Sequence, residues 1–87
     1  MATLHVRGEI DLANHETFEQ ALQRVMHTGT SLTIDLSELT FIDGAGLRAL
    51  ARTADHLHSQ GRQLRLDRPS PHLHRLLTLV GLDTFAA

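Results

Sequence analysis

The chain contains no cysteine, no lysine, no tryptophan and no tyrosine. Each absence closes a class of chemistry. Without cysteine there is no disulfide framework, no thiol nucleophile and no cysteine zinc site. Without lysine there is no Schiff base and no P-loop lysine, and all eight basic residues are arginine. Phe18, Phe41 and Phe85 are the only aromatic residues, too few for the stacking platforms that hold single-stranded nucleic acid. A net charge of −2 argues in the same direction, so no nucleic-acid partner is expected. No apolar run approaches the length of a membrane span, and the first residues alternate polar with apolar instead of forming a signal peptide. The sequence therefore predicts a cytoplasmic protein without direct membrane insertion.

What is present is an ordinary globular balance, with 41% hydrophobic and 21% charged residues. Eighty-seven residues make one small domain, 1–87. Such a chain buries only roughly 60–65% of its unfolded surface, so its core has to be economical. The compositional oddity is histidine. Seven are present, and protonating all of them would carry the net charge from −2 to +5.

Leu4, Val6 and Ile10 share one face of an alternating stretch, with His5, Arg7 and Glu9 on the other, which is strand periodicity. Asn14 is placed to cap a helix whose stripe is Phe18, Ala21, Leu22, Val25 and Met26, with Gly29 as its stop. Leu32–Leu36 alternates as a second strand, and a turn is expected at Ser37-Glu38. A second helix runs from about Ala45 to Gln60, with Leu47, Leu50, Ala51, Ala54 and Leu57 inward. Gln63–Asp67 is a third strand. Ser70 and Pro71 open a third helix, closed by Gly81. Leu82 and Phe85 suggest the start of one more strand.

The order βαβαβα argues a parallel sheet in an α/β domain. Strands buried on both faces read as continuous apolar runs, whereas these alternate. The helices are therefore expected on one face. The other face presents His5, Arg7, Glu9, Thr33, Asp35, Arg65 and Asp67 to water or to a partner.

The stretch Phe41-Ile42-Asp43-Gly44-Ala45-Gly46-Leu47 stands out. Two glycines flank Ala45 where a helix begins, and first-turn N–H groups lack intrahelical acceptors. The loop can hold an anion, offer bare backbone to a partner, or simply form a tight turn capped by Asp43. Asp11 and Asp43 are both expected near carboxyl ends of strands, as a paired carboxylate or as turn caps. His56/His58 and His72/His74 diverge on their helices, so a metal site is not expected. The serines lie in no nucleophile elbow, and neither an enzyme nor a cofactor is expected.

Residues Asp35 to Leu47, read as DLSELTFIDGAGL, resemble the signature of STAS domains, the anti-sigma-factor antagonists and their relatives. Gly8–Leu12 is similar to the family's second strand and following turn. Pro69 and Leu76–Leu82 are similar to its later helix. The resemblance implies a mostly parallel sheet with helices against one face, shortened here at both ends, since the family's earlier strand and later strand and helix find no counterpart. Unpaired sheet edges then favour pairing with another chain, as a homodimer or with a partner protein. It also implies docking to an anti-sigma factor of the histidine-kinase-like ATPase fold, through Asp11, Asn14, Asp43, Gly44, Ala45, Gly46, Arg48 and Arg52. Leu47 is expected in the core. Relatives are switched off by phosphorylation of a hydroxyl residue at the position of Ala45, which here has no hydroxyl. Two other roles fit the resemblance: a STAS subunit of a phospholipid-transport ABC system, and a small-ligand or anion sensor.

Overall fold

The computed structural model describes residues 2–86. Strands β1 (Ala2–Ile10), β2 (Leu32–Ile42) and β3 (Leu64–Asp67) pair in parallel in that order. Helices α1 (His15–Met26), α2 (Gly44–Ser59) and α3 (Pro71–Leu79) alternate with them. Val6, Ile10, Leu32, Ile34, Leu36 and Leu66 line one face of the sheet and meet Phe18, Leu22, Leu50, Leu57 and Leu77 from the helices. Leu50 and Leu57 are fully buried, and each such side chain contributes about 1.5–3 kcal/mol of transfer free energy. The opposite face keeps His5, Arg7, Glu9 and Arg65 in solvent. The alternation of the strands thus marks the helix-covered face.

The third helix starts as its sequence suggests. The Ser70 hydroxyl accepts from the Leu73 N–H at 3.2 Å, and Pro71 takes the first position. It ends in the paired closure typical of a glycine stop, with the Leu82 N–H on the Leu77 carbonyl and the Gly81 N–H on the Thr78 carbonyl.

Four expectations need correction. First, no turn interrupts β2 at Ser37-Glu38. The strand runs on to Ile42 through two register shifts against β1, between the pairs His5↔Asp35 and Arg7↔Glu38 and between Gly8↔Leu39 and Glu9↔Phe41. Each shift adds one residue to β2, and an extra residue reverses the alternation of inward and outward side chains. Leu36, Leu39 and Ile42 therefore stay inward at a spacing of three. Second, Asn14 holds the capping position of α1 but makes no side-chain cap. Third, α1 ends at Met26, before Gly29, with the Thr28 hydroxyl donating to the Val25 carbonyl at 2.7 Å.

Fourth, Asp35 is 9% exposed, although it lies on the polar face. Its carboxylate accepts from the Ser37 N–H at 3.0 Å, from His5 Nδ1 at 3.1 Å and from Arg68 at 2.8 Å. Those side chains fold over it and take the place of water. The Ser37 hydrogen bonds lead, followed by His5 and Arg68, in lowering its pKa from 3.8 to about 2 against the opposing effect of burial.

At the other end of the chain, Asp83–Phe85 form a short 3-10 turn, and Ala86 bridges Leu66 in parallel on the outer side of β3. The strand expected there is thus represented by a single bridge. Among the described residues β1 has no strand on its outer side.

Candidate partner-docking site

Parallel strands deliver their carboxyl ends to one edge of the domain. Ile10 and Ile42 are paired there, and the chain leaves each strand into a loop and a helix. The Asp43 N–H donates to the Ile10 carbonyl at 2.9 Å, which ties the second loop to the first strand. Asp43 Oδ1 accepts from the Gly46 N–H at 2.8 Å, so Asp43 caps α2 with its own carboxylate. The carboxylate occupies the place an external anion would take.

The first loop is closed by its own side chains. Asp11 Oδ1 accepts from the Ala13 N–H at 3.0 Å. Asn14 bridges the turn, accepting from the Asp11 N–H at 2.8 Å and donating to the Glu9 carbonyl at 2.6 Å. Asp11 and Asp43 therefore serve separate turns instead of forming a carboxylate pair.

The Gly-Ala-Gly stretch divides by depth. Gly44 is exposed, Ala45 half-buried and Gly46 buried. A Cβ on Gly46 would stand 2.6 Å from Ile42 Cγ1 and 3.0 Å from Ile10 Cγ2. Gly46 was expected among the docking residues; it is buried instead, where two isoleucines leave space only for hydrogen. Gly44 faces outward, with the Arg48 guanidinium 3.4 Å from where its Cβ would be. Leu47 packs partly against the core. Arg48 is exposed at the helix start, whereas Arg52, one turn on, is engaged by Glu19 of α1 at 3.3 Å.

Two exposed apolar residues outside the expected docking set lie on the same edge. Leu12 is 86% exposed in the first loop, and Phe41 is 45% exposed at the end of β2. Leu12 sits with Ala13 between Asp11 and Asn14, past the end of the alternating strand, and no periodicity assigned it to the core. Phe41 is turned outward by the second register shift of β2, which pairs it with Glu9. The edge as a whole joins exposed apolar side chains to a helix start with almost no side-chain bulk. Nearby hydroxyls lie elsewhere: Thr40 donates to the Gly8 carbonyl at 3.0 Å, and Thr53 is buried on the Ala49 carbonyl. Among the described residues no three histidine or acidic side chains converge as metal ligands, and no helix is long and apolar enough to cross a membrane.

Comparison with known proteins sets this geometry among relatives. The model of the family described as "Mlab, STAS domain" matches residues 1–86. The anti-sigma-F factor antagonist RsfB of Mycobacterium tuberculosis is 33% identical over 84 residues, covering 95% of this chain and 68% of its own length. The anti-sigma-B factor antagonist of Bacillus subtilis is 29% identical over 79 residues, covering 91% and 72%. Among solved structures, the unphosphorylated anti-sigma factor antagonist SpoIIAA superimposes with a TM-score of 0.83 at 20% identity, over 98% of this chain and 76% of that one. The STAS domain of a SulP transporter from Vibrio cholerae gives 0.70 at 20% identity, over 98% and 70%. With the family model spanning almost every residue, the chain belongs to the STAS domain family.

Proposed function

We propose that the chain is a protein-docking module that works as anti-sigma-factor antagonists do, binding an anti-sigma factor and so freeing a sigma factor. The expected partner has the histidine-kinase-like ATPase fold. The observation that carries this reading is the exposed start of α2 at Gly44, on the edge of the domain where the exposed Leu12 and Phe41 follow or end the strands. A partner can approach backbone closely there and bury apolar surface around it, which is how small hot spots supply most interface energy. Arg48, without an ion-pair partner among the described residues, adds a cation at the rim. Gly44→Gln tests the docking, because Gly44 is exposed and its substitution meets only the mobile end of Arg48. The variant should keep its melting temperature and bind the anti-sigma factor at least about tenfold more weakly. Unchanged binding would refute the assignment.

Ala45 has no hydroxyl, so a serine kinase finds no acceptor at the position that relatives use as their switch. Docking is then constitutive. Incubation with the cognate kinase and ATP should leave the mass of the protein unchanged, and a phosphate mapped to residues 40–48 would overturn this part of the reading.

A second reading is favoured by the likeness to the SulP transporter STAS domain. In it the same surface docks on a transport protein, such as the ATPase of a phospholipid-transport ABC system. Affinity purification from the native cell separates the two, according to whether an anti-sigma kinase or an ABC ATPase co-purifies. The anion-sensing reading loses its support once the Asp43 carboxylate occupies the helix start.

A further inference from the structure

His15 opens α1 directly after the first loop, and its Nδ1 is buried with no hydrogen-bond partner among the described residues. A polar atom out of reach of water is unfavourable unless something pairs with it. The acceptor within reach is Glu19, one turn on. Its Oε1 stands 3.9 Å from His15 Nδ1, about 1 Å beyond a hydrogen bond. That oxygen is already taken, because Arg52 of α2 holds it at 3.3 Å. Glu19 thus stands between two partners and serves one of them.

The pair with Arg52 is loose. It is a single contact, longer than the roughly 2.7–2.9 Å of a firm charge-assisted bond, and the Arg52 side chain is 65% exposed. A cavity of about 50 Å³ between α1 and α2, lined by Glu19, Leu22, Arg52 and Thr53, leaves the two charged side chains room to turn. Arg52 also shares a face of α2 with the docking loop. Gly44, Arg48 and Arg52 recur at a spacing of four and so form one stripe. Eight residues of helix are about 12 Å, within the span of an ordinary interface centred on Gly44.

We propose that Glu19 is a built-in competitor for the partner: it occupies Arg52 while the site is empty, and it turns to His15 when a carboxylate of the partner takes Arg52. The proposal rests on the docking reading of the α2 start and adds the chemistry of the partner, an acidic surface that meets Arg48 and Arg52. The exchange leaves every group paired. Arg52 keeps a carboxylate, Glu19 accepts from His15, and the buried Nδ1 is satisfied in the tautomer that carries its proton there. A partner without an acidic group at that place has nothing to offer Arg52 in return for Glu19, so the exchange selects among partners.

Two measurements test it, the first without a partner. In the free protein Arg52→Gln removes the competing guanidinium. Long-range proton–nitrogen correlation spectra, recorded in alkaline buffer, should then show a larger share of the Nδ1–H tautomer at His15, and adding Glu19→Gln should cancel the increase. A His15 ring that ignores Arg52→Gln would overturn the exchange, whatever the partner. In the second, with the anti-sigma factor, Glu19→Gln should tighten binding by about two- to fivefold, because Arg52 is released, and Arg52→Gln should weaken it by about the same factor. In the Arg52→Gln background Glu19→Gln should change nothing, since no guanidinium is left to release. Binding of Glu19→Gln that is unchanged or weaker, or a gain that persists without Arg52, contradicts the proposal. Gly44→Gln tells the two readings apart. Unchanged binding of Gly44→Gln removes the docking surface and the competitor with it, whereas binding weakened by Gly44→Gln but not tightened by Glu19→Gln removes the competitor alone.

Discussion

Gly46→Ala adds a single methyl group at a place where the structure leaves none. The new Cβ would lie 2.6 Å from Ile42 Cγ1 and 3.0 Å from both Ile42 Cδ1 and Ile10 Cγ2. Carbon atoms rest at about 3.5–4.0 Å, so the overlap approaches 1 Å at its worst point. Relief is hard to find. Ile42 is 3% exposed and Ile10 6%, both are branched at Cβ with few χ1 choices, and the Asp43 N–H clamps the two strands together just beyond them. Over-packing of this kind costs about 1–3 kcal/mol. Alanine recovers up to about 1 kcal/mol through helix propensity. The net expectation is a destabilisation of about 1–2 kcal/mol, which for a domain of this size lowers the melting temperature by about 4–16 °C. Urea or thermal denaturation followed by circular dichroism measures it. Gly44→Ala is the control: its Cβ meets only the Arg48 guanidinium at 3.4 Å, and stability should stay level or rise slightly. If Gly46→Ala proved as stable as Gly44→Ala, the packing account of Gly46 would be wrong.

Asp43→Ala removes the carboxylate that caps α2 and should cost about 0.5–2 kcal/mol in denaturant titrations, with Asp43→Asn or Asp43→Ser keeping most of it. An Asp43→Ala protein of unchanged stability would show the cap to be idle. Asp35 sets an acid dependence. Its folded pKa, about 2, lies below its ordinary 3.8, so the carboxylate contributes fully above about pH 4 and the contribution fades as pH falls through about 2. Asp35→Asn should therefore be less stable than wild type at neutral pH, with a gap that closes between pH 4 and pH 2; a gap constant over that range would contradict the hydrogen-bonded placement of this side chain.

Most of the fold was legible because its signals are local. Phe18 and Leu22 in α1, and Leu50, Ala54 and Leu57 in α2, follow helical spacing, and Ser70-Pro71 opens α3 in the order capping chemistry demands. The alternation of β1 and β3 told which face the helices cover. The misreading of β2 has a definite cause. Its inward residues change from a spacing of two to a spacing of three after Leu36, a change that looks like a turn when read along one strand. Only the partner strand reveals two bulges, because a bulge is a mismatch between two counts. Asp35 was hidden for a similar reason. Its partners His5 and Arg68 lie 30 and 33 residues away in the chain, and no local pattern couples them.

The candidate site shows the limit of sequence reading more sharply. Gly44 and Gly46 are the same residue type two positions apart, yet they do opposite things. Gly46 is small so that α2 can rest on Ile10 and Ile42; a larger residue would lift the helix start off the sheet. Gly44 is exposed at the same helix start, on the edge that also carries Leu12 and Phe41. Outward access at one glycine is thus coupled to inward packing at the other, and both depend on the bulges that let β2 reach Ile42 in step with Ile10. A substitution at Gly46 should accordingly weaken docking through displacement of the helix, with loss of stability, whereas one at Gly44 should weaken docking alone. The two losses are distinguishable in one experiment, binding measured beside melting temperature for both variants. Docking lost at Gly46 with stability intact would mean that the buried glycine touches the partner after all.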